Sequence, residues 1–145
     1  CTMRRLAPLL LSLTLALTLA ASGCGGPTEV LDPVSIGEPF ELGVGEAVVV
    51  RDRQLTLAFV LVLEDSRCPT DSLILCVWAG RVRLRLASAP LSGDQALHEI
   101  HLGDEPSVIP LGDLRLELLE VLPAARLERI PDRDYRARFV LTVAP

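Results

Sequence analysis

The sequence predicts an all-β fold, an antiparallel two-sheet sandwich of about eight strands over residues 37–145, preceded by a signal-peptide helix. Three observations carry that prediction. Apolar residues recur with a period of two through most of the chain after residue 37, as a sheet with one buried and one wet face requires, because successive side chains leave a strand on opposite sides. Clusters of Gly, Pro, Asp and Ser interrupt the alternation at short intervals, which is the punctuation of many short strands. No stretch beyond the first 23 residues carries a helical apolar stripe. A small barrel satisfies the same pattern, and the sandwich is preferred.

The chain opens on Arg4 and Arg5, an ordinary positive n-region, followed by an apolar and hydroxyl run from Leu6 to Ala21 that ends in small residues. This is the three-part pattern of a secretory signal peptide over residues 1–23. The 16 residues of the run fall short of the roughly 20 needed to cross a bilayer as a helix. Met3 reads as the start of translation, which takes Cys1 out of consideration.

Cys24 follows Ala21-Ser22-Gly23 directly and opens the Gly-rich stretch Cys24-Gly25-Gly26-Pro27. That arrangement resembles the bacterial lipobox, with Ala21 where the family usually has Leu. The resemblance implies a diacylglyceryl thioether on the Cys24 sulfur, cleavage just before it and acylation of the new amino terminus. Several acyl chains, at about 0.8 kcal/mol per buried methylene, make a lasting anchor. Cleavage by the ordinary signal peptidase after Ser22 is the competing route and gives a soluble protein with a free thiol. Gly25 stands where inner-membrane lipoproteins usually carry Asp, so the resemblance implies the outer membrane in a cell with two. The expected location is the bacterial cell envelope, and the expected partners are the membrane, through the lipid, and an envelope protein.

Residues 24–36 read as the lipidated cysteine and a flexible tether. All 14 basic residues are Arg, and Lys and Asn are absent; a GC-rich genome is the simplest cause. Removing Arg4 and Arg5 leaves 12 Arg against 19 acids, a net charge of −7 from Cys24 onward. That balance disfavours electrostatic attachment to anionic lipids. With only 3% aromatic residues, it also excludes nucleic acid as a partner.

The strands are expected near 39–42, 46–51, 54–64, 77–88, 95–102, 106–110, 113–122 and 135–143. Leu55, Leu57, Phe59, Leu61 and Leu63 are expected on one face of the third. Val82, Leu84 and Leu86 alternate with Arg81, Arg83 and Arg85, and Leu114, Leu116 and Leu118 with Arg115 and Glu117. Tyr135, Ala137, Phe139, Leu141 and Val143 form the last stripe. Gly43-Val44-Gly45, Asp52-Arg53, Ser92-Gly93-Asp94, Gly103-Asp104-Glu105-Pro106, Gly112-Asp113 and Pro131-Asp132-Arg133-Asp134 supply the turns.

With Cys24 lipidated, Cys68 and Cys76 remain as a pair in an oxidising compartment and are expected to form a disulfide. Zinc is the rival reading, but it needs two more ligands and the chain offers only His98 and His101. Three residues apart on a strand, those two point to opposite faces.

The surrounding segment, Asp65-Ser66-Arg67-Cys68-Pro69 through Cys76-Val77-Trp78-Ala79-Gly80, resembles a group of small bacterial lipoproteins with the pattern DSRCP, a spacer, then CxWAG. The similarity extends from the Phe40–Glu46 segment to Leu118–Pro123 and the Tyr135 strand. It implies a β-sandwich and an envelope location, and it carries no assigned activity. Trp78 beside the bridge is expected to plug the core, against the alternative of an exposed platform for a sugar or peptide. Asp65 and Arg67, two apart, can form an ion pair or orient the loop.

Arg81, Arg83 and Arg85 form either a line of anion sites or, as preferred, cross-strand pairs with acids such as Glu117. Ser66, His98 and Asp65 exist as the residue types of a nucleophilic triad, but no G-x-S-x-G elbow, H-E-x-x-H, phosphate loop or dinucleotide fingerprint accompanies them. No catalytic residue, metal ligand or cofactor is therefore assigned. The leading expectation is a non-catalytic binding or structural module. A protease inhibitor presenting the 68–76 loop with Leu73-Ile74-Leu75 at its tip is the second, and a hydrolase with an unrecognised site the third.

Overall fold

Alternation becomes two sheets in the computed structural model, which describes residues 29–145. The five-stranded sheet has the order β1-β3-β4-β5-β6 and the four-stranded sheet β2-β9-β8-β7. The strands are β1 (Glu29–Val30), β2 (Phe40–Gly43), β3 (Glu46–Val50), β4 (Leu55–Asp65), β5 (Val82–Pro90), β6 (Ala96–Leu102), β7 (Val108–Leu111), β8 (Leu114–Leu122) and β9 (Arg136–Val143). The only helical element among the described residues is a 3-10 turn at Asp132–Asp134. The signal run and Cys24 lie outside the described residues.

The core fills the space between the inner faces. Val48, Leu57, Phe59, Leu84 and Ile100 from one sheet meet Leu42, Leu114, Leu116, Phe139 and Leu141 from the other, all nearly inaccessible to water. Phe40 and Phe139 face each other across β2 and β9 with ring centroids 5.8 Å apart, a separation at which tilted aromatic pairs attract.

Two expectations about strand geometry need correction. Residues 29–36, expected as tether, belong to the fold. Glu29–Val30 add to β3 as a parallel edge strand, Val34 bridges to Val50, and the Gly37 amide donates to the Leu141 carbonyl. Two residues are too few to show an alternation, so periodicity carries no strand signal there.

In β4, the single stripe holds for Leu55, Leu57 and Phe59 and then breaks, because the pairing slips between Phe59 and Leu61 and again between Val62 and Glu64. Each bulge inserts an unpaired residue and flips the parity of the residues after it. Leu61 therefore sits opposite Arg85 on the outer face, while Val62, opposite Leu84, turns inward. The second slip restores the original parity and places Asp65 inward, opposite the fully buried Val82.

Candidate functional site

β4 and β5 separate at Asp65 and Val82, and the connecting loop 66–81 projects from that pole. Its base is held by continued pairing: the Ser66 amide donates to Arg81 O at 2.8 Å and the Cys68 amide to Ala79 O at 3.0 Å. Gly80 closes this neck with φ +70, and a Cβ there would collide with the Ser66 carbonyl oxygen. Only glycine meets both conditions. Cys68 and Cys76 are joined by a disulfide, with Cα atoms 5.9 Å apart. Thr70 donates through its amide and hydroxyl to Ala125 O, at 2.9 and 3.2 Å, and the Leu127 amide donates to Asp71 at 3.0 Å. The lower half of the loop is thus fastened to the segment between β8 and β9.

The upper half is apolar and bare. Leu73, Leu75 and Val77 are exposed, Trp78 is 75% exposed, and Ile74 is half-exposed. Among the described residues, no hydrogen bond is made by the backbone of residues 72–78. Trp78 is therefore no core plug, which corrects the expectation from its place beside the bridge. Regular strand begins only at Val82 because the left-handed Gly80 ends the extended run. Trp78 instead walls a cleft of about 430 Å³ with Glu64, Ser66, Gly80, Arg81 and Asp104.

Asp65 and Arg67 form a largely buried pair beneath the loop. The Arg67 guanidinium donates to both Asp65 oxygens, Nε to Oδ1 at 2.9 Å and Nη2 to Oδ2 at 2.7 Å. It then crosses to the other sheet, donating to Val121 O at 2.7 Å and Pro123 O at 3.1 Å. Tyr135 donates its hydroxyl to Asp65 Oδ2 at 2.9 Å. Burial works to raise the Asp65 carboxyl, but the Arg67 and Tyr135 hydrogen bonds outweigh it and hold it below its ordinary value. Burial, reinforced by the Asp65 hydrogen bond, pushes Tyr135 up to about 12. Both Asp65 oxygens and four of the five Arg67 N–H donors are engaged inside the protein, so the pair braces the loop, and with Tyr135 it also lines a cleft of about 380 Å³ against residues 125–130.

The arginine stripe is neutralised on the outer face, though not by Glu117, which lies in the opposite sheet across from Val140 and Val108. Arg81 meets Asp104 at 2.6 Å and Glu64 at 3.5 Å. Arg83 meets Glu64 at 3.3 Å and Glu99 at 2.9 Å, and Arg85 meets Glu99 at 3.0 Å. Three cations and three carboxylates alternate along one line and leave no net charge on it. The Arg83 hydrogen bond, then that of Arg85, holds the Glu99 carboxyl below its usual range. Glu64 and Glu99 were not singled out in the sequence. The signal for Glu99 was its place across from the stripe in a neighbouring strand, which only the register supplies.

Ser66, His98 and Asp65 are not brought together. Ser66 bonds Arg81 and Glu64, Asp65 bonds Arg67 and Tyr135, and His98 lies toward the opposite pole with Nε2 at 2.8 Å from Ser88 Oγ. Burial lowers the His98 pKa below its ordinary value, and among the described residues no carboxylate bonds its ring. His101 pairs with Arg83 on the outer face while His98 pairs with Leu86 on the inner one, so the two cannot share an ion. The exposed apolar loop is the remaining functional candidate. Comparison with protein-family models, curated proteins and solved structures gave no match to this chain.

Proposed function

We propose that this chain is a lipid-anchored, non-catalytic module of the bacterial cell envelope that binds through the braced loop 66–81. Cys24, in its lipobox-like setting, is the proposed lipid attachment site, and the resemblance to DSRCP…CxWAG lipoproteins favours the same location. The observation that carries the binding role is the exposure of Leu73, Leu75, Val77 and Trp78 on one disulfide-closed loop. Apolar side chains gathered in solvent on an ordered support mark an interaction site. Rigidity lowers the ordering cost of binding.

Detergent-phase partitioning and intact mass test the anchor. Wild-type protein should enter the detergent phase and carry acyl mass, and Cys24→Ala should abolish both. A Cys24→Ala protein that remains in the detergent phase after full processing contradicts the anchor. A protease inhibitor is the second reading, favoured by the bare Leu73-Ile74-Leu75 tip. It requires stoichiometric inhibition of an envelope or extracellular protease that Leu73→Ala and Leu75→Ala weaken, and full protease activity at equimolar protein removes it.

A further inference from the structure

We infer that the occupant of the loop is the bilayer surface itself, with Leu73, Leu75, Val77 and Trp78 entering the headgroup region beside the lipid on Cys24; this rests on the anchor proposed above. The topology puts the loop and the entry to the fold on the same side of the sandwich. β4 runs toward the loop pole, β3 returns antiparallel to it, and β1 lies parallel to β3 with Glu29 beside Glu46. The chain consequently enters β1 from the loop's side of the sandwich. The level of entry is marked by the Gly45 amide, which donates to Phe59 O. From there β4 continues to Asp65, about 20 Å at roughly 3.3 Å per residue, and the loop stands beyond. Cys24 precedes Glu29 by five residues, and five residues span at most about 18 Å however they run. Acyl chains on Cys24 therefore keep the entry to β1 within about 18 Å of the bilayer, and the domain needs only to tip its loop pole toward that surface for the loop to touch it.

The loop's chemistry agrees with that placement. From Ser72 to Gly80 there is no charged residue, so entry into the interface strips no ion of its water. The backbone of 72–78 has no hydrogen-bond partner among the described residues, and unpaired amides are excluded from hydrocarbon. The depth reached is thus the interface, where Trp is favoured. Because the domain is acidic, attachment is apolar and needs no anionic lipid.

Trp78 is the only tryptophan, so its fluorescence reports on the loop alone. The lipidated protein is reconstituted in phosphatidylcholine vesicles with and without lipids brominated near the head of the acyl chain. The expected result is blue-shifted Trp78 emission, quenched by bromine and protected from aqueous iodide. The variant Leu73→Asp/Leu75→Asp should retain its acyl mass yet lose both the shift and the bromine quenching. Trp78 that stays open to iodide and blind to bromine in acylated protein overturns the inference and leaves the anchor standing. An emission shift that instead follows protein density in the vesicles points to a second copy as occupant and overturns it likewise. Purified protein without acyl mass overturns the anchor, and with it the placement of the loop pole at the bilayer.

Discussion

The Tyr135 hydroxyl donates to Asp65 Oδ2 at 2.9 Å across 70 residues of sequence, tying the end of β4 in one sheet to the approach of β9 in the other. Arg67 completes the join by bonding the same carboxylate and the carbonyls of Val121 and Pro123. The loop that projects from this pole stands on that junction. Its apolar tip is held out by polar bonds below it.

Removing one partner at a time should separate the parts of this junction. Tyr135→Phe loses one hydrogen bond to a charged acceptor and should cost about 1.5 kcal/mol. Asp65→Ala strands the Arg67 guanidinium in a largely buried place and should cost about 3 kcal/mol. Urea unfolding midpoints measure both; an Asp65→Ala protein as stable as Tyr135→Phe would show that Arg67 finds other partners.

The same pair sets a dependence on pH at both extremes. Asp65 is held below its ordinary 3.8, so its contribution is complete above that value and is lost as pH falls through the depressed one. Tyr135 is raised from 10.0 to about 12; its contribution is complete below 10 and is lost as pH rises toward 12. Urea midpoints followed against pH should fall across the alkaline window in the wild type. The decline there should be smaller in Tyr135→Phe, and equal declines would refute the assignment.

The disulfide closes nine residues, counting both cysteines. In the chain-entropy account this is worth roughly 2.5 kcal/mol. Because the closed segment lies outside both sheets, Cys68→Ser/Cys76→Ser should keep the sandwich fold, lower the urea midpoint and expose Leu73–Trp78 to faster chymotryptic cleavage. Reduction of the wild type should add two hydrogen atoms to the intact mass. Cleavage at an unchanged rate would mean that the neck hydrogen bonds alone order the loop.

Gly80→Ala combines a left-handed backbone with a Cβ aimed at the Ser66 carbonyl oxygen. The neck must open to admit it, at a cost of about 2 kcal/mol or more. The Ser66–Arg81 and Cys68–Ala79 amides should lose hydrogen-exchange protection while the amides of β8 and β9 keep theirs. Unchanged protection at the neck would contradict the constraint assigned to this glycine.

The order of strands along the chain, the one-sided apolar faces and the Cys68–Cys76 bridge were legible in the sequence. Alternation and cysteine spacing are local, and each stripe needs only its own residues to be read. The interruption of the β4 stripe was not legible, because a bulge is defined by which residue of β5 it skips. Trp78 was misplaced for a related reason. Proximity to a cysteine bridge suggests burial, but exposure depends on whether another segment covers the ring, and Trp78 is left 75% exposed.

The sequence by itself determined that the chain must form sheets with one wet face, and that Cys68 and Cys76 pair with each other. Only the tertiary structure decided that Asp65 turns inward to meet Tyr135, that the arginine stripe finds Glu64, Glu99 and Asp104, and that the loop stands bare beyond the end of β4. Periodicity records how each strand divides its own side chains between two faces. Register and sheet order decide what those faces meet, and they depend on contacts between segments far apart in the chain.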